Sequence, residues 1–202
     1  MTDESEIVLA STSEIRRRLL ESAGINVRPV PSCVDESAIK RAFGQRAGAD
    51  FPKLAGALAK AKAEAVSVHH PAALVIGADQ LLLFDDRPFD KPGDLKEAAM
   101  QLKLLRGNTH QLITAVAVAR GGAIVWTDCD IAKLTMRHFS DDFLTDYVVS
   151  MGGDALTSVG AYKIEGRGVQ LFNRIEGDYF AILGLPLLPL LSFLRREGCL
   201  PE

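Results

Sequence analysis

Patterns that hold a metal through cysteine or histidine are missing from this chain of 202 residues. Its three cysteines, Cys33, Cys129 and Cys199, lie far apart with no CxxC spacing, and the four histidines, His69, His70, His110 and His138, form no HExxH. An odd number of scattered cysteines builds no disulfide framework and fits the reduced thiols of a cytoplasmic protein. No apolar run reaches the roughly 20 residues needed to cross a bilayer, and no GxxxxGKS stretch announces a P-loop. There is no low-complexity tract and no repeat of fixed period. Surplus positive charge is absent too: a formal net charge of −3 gives no broad basic field for a nucleic acid polymer. A local cationic pocket for a small polyanion is left open by that balance. The acidic opening MTDESEIVLA leads straight into a strand, unlike a signal or transit peptide.

What is present is ordinary for a globular chain, 48% apolar and 24% charged residues. Residues 1–202 are long enough to bury a substantial core as a single domain. Strands and helices alternate. Ile7 to Ala10 reads as a strand, and Ser11-Thr12-Ser13 offers an N-cap to a helix reaching about Ala23, closed by Gly24. Val27 to Val30 is a second strand. Ser37, and Asp50 with Pro52, open two more helices, the second reaching about Val66. Asp94 and Glu97 resemble a capping box for a helix to about Leu105. Gln111 to Ala119 and Ala123 to His138 flank Arg120-Gly121-Gly122 as a long hairpin. Ser140 caps a helix through about Val149, a glycine-bearing loop follows, and Leu187 to Arg196 is the C-terminal helix. This order predicts an α/β fold with some antiparallel pairing.

The segment LVIGADQLLLFDDRPFDKP carries the most chemistry. A continuous apolar run, Ala72 to Ile76, reads as a strand covered on both faces and delivers Asp79 to its end, where open α/β sheets place ligands. Leu81 to Phe84 is again strand-like, and Asp85 to Pro88 turns the chain so that Lys91 returns beside Asp79. A carboxylate base and a cation sharing one site, and an ordinary hairpin with both charges solvated, fit this spacing equally.

Two further stretches are candidates. LASTSEIRRRLL runs from a strand through three hydroxyl residues into a helix N-terminus, which presents unpaired N–H groups to an anion, with Arg16 in reach of a phosphate held there. A capped surface helix with exposed Arg16, Arg17 and Arg18 is the plainer alternative. Val34-Asp35-Glu36 places two carboxylates after a strand, with Lys62 on a later helix; near Asp79 they suit a hard divalent cation, and otherwise they are the acids common at a helix start. Trp126 in the long hairpin and the leucines of the last helix read as packing residues, the leucines as core or dimer contact.

Together these segments resemble the Maf family of nucleoside triphosphate pyrophosphatases. The matching pieces are LASTSEIRRRLLESAGI, VDE at Val34 to Glu36, LAKAKAEAV around Lys62, GADQ at Gly77 to Gln80, DKP at Asp90 to Pro92, LRGNTH with Thr114 after it, IEGRGVQLFNRIEGDY, and GLPL at Gly184 to Leu187. Their order covers nearly the whole chain. The resemblance implies an elongated mixed sheet with helices on both sides and two lobes around a deep cleft, similar to the inosine triphosphate pyrophosphatases. It also implies a homodimer, a divalent metal (Mg²⁺ or Mn²⁺), and hydrolysis between the α and β phosphates to a monophosphate and pyrophosphate. Position by position, Asp79 matches the general base and a metal-facing acid, and Glu36 the conserved acid near the metal. Arg16, Lys62 and Lys91 match the conserved cations, and Ser13 the serine of the phosphate-binding turn.

Three positions bear on the substrate. Members acting on dTTP and UTP read SPRR, GADT and IQG, where this chain has Ser13-Glu14-Ile15-Arg16, Gln80 and Glu165. Ile15, Gln80 and the segment Lys163-Ile164-Glu165-Gly166 are similar instead to the subgroup acting on 7-methylguanosine triphosphate. A carboxylate such as Glu165 attracts the positive ring of 7-methylguanine, and the amide of Gln80 suits a base edge. Against that match, Ile15 stands where an aromatic residue would stack on a cationic base, Glu14 replaces the usual proline, and Ser158 stands where pyrimidine-type members have lysine. The leading expectation is a cytoplasmic house-cleaning enzyme for modified nucleotides. A dTTP/UTP-type pyrophosphatase is the alternative enzyme, and a nucleotide-binding regulator of cell division without turnover is the alternative of another class.

Overall fold

The computed structural model describes residues 6–43 and 50–201; the acidic residues 1–5 of the opening segment lie outside them. The fold is α/β, with a mixed seven-stranded sheet flanked by helices. The strands are β1 (Ile7–Leu9), β2 (Arg28–Pro29), β3 (Leu74–Phe84), β4 (Arg87–Phe89), β5 (Thr109–Arg120), β6 (Ala123–Met136) and β7 (Phe172–Glu176). They run in the order β2-β1-β3-β5-β6-β7, with β4 pairing β3 off that path. β1 is parallel to both β2 and β3, while β4 and β7 are antiparallel to β3 and β6. The helices are α1 (Glu14–Ser22), α2 (Glu36–Phe43), α3 (Phe51–Ser67), α4 (Leu95–Leu105), α5 (Asp141–Met151), α6 (Tyr179–Ile182) and α7 (Leu187–Arg196). Among the described residues no helix is long and apolar enough to cross a membrane.

The chain divides into two compact units. The first comprises Met1–Gln80, Ile113–Asp130 and Asp178–Glu202, and the second Leu81–Leu112 and Ile131–Gly177. In the first, strand alternation sorts the core. Ile7, Leu9, Leu74, Ile76 and Ala78 join Leu20 of α1 and Leu187, Leu190 and Leu194 of α7 in one cluster, while Val8, Ala10, Ala73 and Val75 meet Val66 of α3 in another. Trp126 stacks on Phe193 at 5.0 Å between ring centroids, a packing role as its sequence context suggests. Leu188 differs from its neighbours on α7: it is exposed, because it falls off the buried stripe.

Local signals placed most elements. Asp94 and Ser140 accept from Glu97 N and Phe143 N as caps, and Asp50 caps α3 with Pro52 in the first turn. Three readings are corrected. β3 is one continuous strand, so Asp79 is not at its end; the strand outruns its parallel partner β1, whose pairing stops at Ile76, and pairs β4 from Leu82 to Phe84 further on. α2 begins at Glu36 rather than Ser37, since Asp35 Oδ1 already accepts from Ala38 N at 2.9 Å. The expected loop after α5 holds 3-10 turns, β7 and the short α6, which lack the length or alternation that marks such elements in sequence. The turn between β3 and β4 consists of Asp85 and Asp86 alone, both with positive φ (50° and 56°), the geometry of a two-residue hairpin turn.

Candidate functional site

The site in the first unit follows from the two faces of β3. Residues 73, 75, 77 and 79 turn toward α3. At Gly77 the helix comes so close that an added Cβ would lie 2.3 Å from Ala59 O and 2.7 Å from Ala63 N. That approach, open only to glycine, carries Lys62 of α3 over Asp79, two residues further along the same face. Lys62 Nζ donates to Asp79 Oδ1 at 2.6 Å and to Glu36 Oε1 at 2.8 Å. Lys62 and Asp79 are buried, whereas the Glu36 side chain is 45% exposed, so the carboxylate–lysine–carboxylate chain runs from the core to solvent. Asp35 spends one oxygen on capping α2, and Glu36 is the acid that meets Lys62.

Residues 78 and 80 turn the other way. Ala78 O accepts from Arg16 Nη1 at 2.8 Å, and Gly184 O accepts from Arg16 Nε at 2.7 Å. Arg16 is therefore not part of an exposed arginine face. Burial pushes its guanidinium below the ordinary arginine range, opposed by the nearby charges of Asp79 and Glu36. Arg17 is held on the surface of α1 by Glu14 and Glu21. Ser13 sits at the N-cap, yet its side chain makes no cap hydrogen bond; its own N–H donates to Ser11 Oγ at 3.1 Å. Beside this turn lies a cavity of about 300 Å³ lined by Ser11, Thr12, Ser13 and Arg17 with Pro29 and Pro31. Ile15, in the first turn of α1, is half-buried.

Gln80 donates its amide N–H groups to Thr114 Oγ1 (2.9 Å) and to the carbonyls of Ala181 and Ile182 (3.0 Å each). Those contacts were invisible in the sequence, where Gln80 stood out as a substrate-specificity position whose amide suits a base edge. Gly184, missed as a functional position, left one signal in the GLPL segment that it opens; its φ is +108°.

Lys91 and Glu165 belong to the second unit. Lys91 is exposed two residues beyond β4, whose pairing with β3 runs from Phe84 opposite Arg87 to Leu82 opposite Phe89. Glu165 is exposed in a turn closed by Gly166 N donating to Lys163 O, while Lys163 Nζ is held by Asp154 at 2.9 Å. Gly168 packs under this turn, its would-be Cβ 2.4 Å from Lys163 O, so the turn has one tight geometry. In the same unit the buried His110 shares a 2.7 Å hydrogen bond with the Tyr162 hydroxyl.

A metal held by protein side chains alone has no basis here: among the described residues no group of three or more His, Cys, Asp or Glu side chains is arranged to hold one. Glu36 and Asp79 nonetheless bring two carboxylates to Lys62, and hard carboxylate oxygens of this kind suit a cation that completes its shell with water and substrate phosphates.

Residues 6–197 match the protein family described as Maf-like protein. The chain is 48% identical to the 7-methyl-GTP pyrophosphatase of Rhizobium etli over 193 residues, 96% of each chain. It is 47% identical over 195 residues to the nucleoside triphosphate pyrophosphatase of Granulibacter bethesdensis, and equally to the 7-methyl-GTP pyrophosphatase of Brucella abortus biovar 1. Each of these matches covers 96% of this chain and 98% of the relative.

Proposed function

The chain belongs to the Maf family, and from that premise we propose that it is a nucleoside triphosphate pyrophosphatase. It cleaves modified nucleotides, 7-methyl-GTP foremost, to the monophosphate and pyrophosphate and so clears them from the nucleotide pool. The observation that carries this reading is the buried lysine between two carboxylates, with a guanidinium fixed on the Ala78 carbonyl of the same strand and within reach of their charge. Such an arrangement serves a reaction in which negative charge must be held while a water loses a proton.

Asp79 is the base. Its Oδ1 is occupied by Lys62, which leaves Oδ2 to orient the attacking water and take its proton. Lys62 holds the carboxylate in place, and Arg16 and Lys91 balance charge on the triphosphate and the departing pyrophosphate. Ser13 and the first-turn N–H groups of α1 bind a phosphate, since the Ser13 hydroxyl is not spent on capping. Glu36 and Asp79 would hold Mg²⁺ or Mn²⁺, which when bound supplies Lewis-acid stabilisation of the phosphoryl oxygens. Glu165 meets the cationic methylated base, and Ile15 belongs to the same selectivity set. A cytoplasmic homodimer is part of the same reading, and sedimentation of the purified protein reads its mass.

The test is a panel of 7-methyl-GTP, GTP, dTTP, UTP and CTP with Mg²⁺, every product identified by mass spectrometry. Monophosphate plus pyrophosphate, fastest from 7-methyl-GTP, is expected. Fastest release from dTTP or UTP would reassign the selectivity residues. No turnover of any member, with binding intact, would make the protein a nucleotide-binding regulator instead. In Asp79→Asn, turnover should fall on the order of a hundredfold or more, while nucleotide binding changes far less.

A further inference from the structure

Gln80 follows the proposed base in β3 but faces away from it. Its side-chain nitrogen has two hydrogens and three acceptors within 3.0 Å: Thr114 Oγ1, Ala181 O and Ile182 O. Two of these are backbone carbonyls, which only accept, so the amide must present its nitrogen to them. The Thr114 hydroxyl adds a second donor to Ala181 O at 2.9 Å. Together Gln80 and Thr114 anchor the last carbonyls of α6, groups that a four-residue helix cannot satisfy internally.

The chain then turns through Leu183 to Gly184, whose N–H donates back to Ala181 O at 2.9 Å. Gly184 O is the acceptor for Arg16 Nε, and the second acceptor of that guanidinium, Ala78 O, lies two residues before Gln80 in β3. Two carbonyls bonded to two different nitrogens fix both the position and the plane of a guanidinium. One of them is built into β3, and the other depends on the α6 turn that Gln80 and Thr114 hold.

We infer that Gln80 and Thr114 are positioning residues that set the orientation of Arg16 through the Ala181–Gly184 turn, and that Gln80 does not read the base with its amide N–H groups. Those N–H groups are already committed to internal acceptors. A change at Gln80 therefore alters how Arg16 meets a phosphate, a contact common to every nucleoside triphosphate. The kinetic part of this inference rests on the pyrophosphatase reading; the orientation of Arg16 does not.

The deciding experiment follows the Arg16 Nε–H by ¹⁵N nuclear magnetic resonance, with the signal assigned by its loss in Arg16→Lys. Hydrogen-bonded to Gly184 O, it should exchange slowly with solvent in the unaltered protein. Gln80→Met and Thr114→Val should each accelerate that exchange by roughly tenfold or more as the turn loosens, whereas Thr114→Ser, which keeps the hydroxyl, should restore slow exchange. Unchanged exchange in both Gln80→Met and Thr114→Val overturns the inference whether or not any nucleotide is hydrolysed. Thr114→Val is nearly isosteric and decides the matter should Gln80→Met not fold. Where turnover is measurable, both variants should lower kcat by one common factor across the triphosphate panel, with KM ratios between bases preserved. A reordered base preference in Gln80→Met would instead make it a base reader. Absence of turnover in the unaltered protein would count against the pyrophosphatase reading alone, with the exchange rates still deciding the role of Gln80.

Discussion

In the first unit the buried Lys62 donates to two carboxylates, whereas in the second the buried His110 has one partner, the hydroxyl of Tyr162, and its Nδ1 has none among the described residues. The first solution keeps charge inside by pairing it and by leaving Glu36 half in water. The second keeps charge out: burial alone lowers the His110 pKa to about 4, so the ring is neutral at physiological pH. The contrast separates a place built to retain charge, which a reaction needs, from a place built only to pack. Tyr162 and Phe172 close around His110 at 5.6 and 5.9 Å between ring centroids, and an apolar surround of this kind offers nothing to an anionic substrate.

Removing the cation should break that contrast most severely. Lys62→Met strands Asp79 as an uncompensated buried carboxylate and should cost about 3–5 kcal/mol of stability, read by chemical denaturation. Adding Asp79→Asn to it should recover much of the loss; a double variant as unstable as the single one would show that the pair does not govern the packing of α3. The next effect belongs to the second unit. Because the folded-state pKa of His110 lies below its ordinary value of 6.5, the unfolded chain takes up the proton first. Stability is then complete above about pH 6.5 and is lost as pH falls toward 4, by at most about 3 kcal/mol. His110→Gln should flatten the difference between denaturation curves at pH 7 and pH 4.5 that this group produces.

Gly77→Ala tests the approach that seats Lys62. Overpacking of this kind costs about 1–3 kcal/mol, and turnover should fall further than stability alone accounts for, because α3 must move away from Asp79. A variant with full kcat would show that the helix can retreat without moving the lysine. The smallest effect is expected in the β3–β4 turn, where Asp86 adopts positive φ. Asp86→Gly should raise stability by up to about 1 kcal/mol, measured as a higher melting temperature with kinetics unchanged.

The sequence was most legible where a short-range signal acts alone. Asp50, Asp94 and Ser140 cap the helices they precede, and Gly121 and Gly122 turn the long hairpin with φ of 57° and 83°. It was least legible from residue 152 to 182, where 3-10 turns, β7 and α6 are too short to impose a period. In the site, the identity of Glu36, Lys62 and Asp79 was readable, but their contact was not. Nor could the commitment of the Gln80 amide to Ala181 and Ile182, about a hundred residues on, be inferred from a GADQ stretch.

By itself, then, the sequence determined the alternation of elements, the apolar faces and the set of ionisable groups, because capping, turn formation and strand periodicity act over a few residues. Tertiary structure alone decided that Asp79 lies mid-strand beyond the end of β1, that Lys62 bridges it to Glu36, and that Gly184 holds Arg16. Each of those depends on how closely one element approaches another: on the missing Cβ of Gly77 in one case and on a turn held from a neighbouring strand in another. Such distances are set only when the whole core packs.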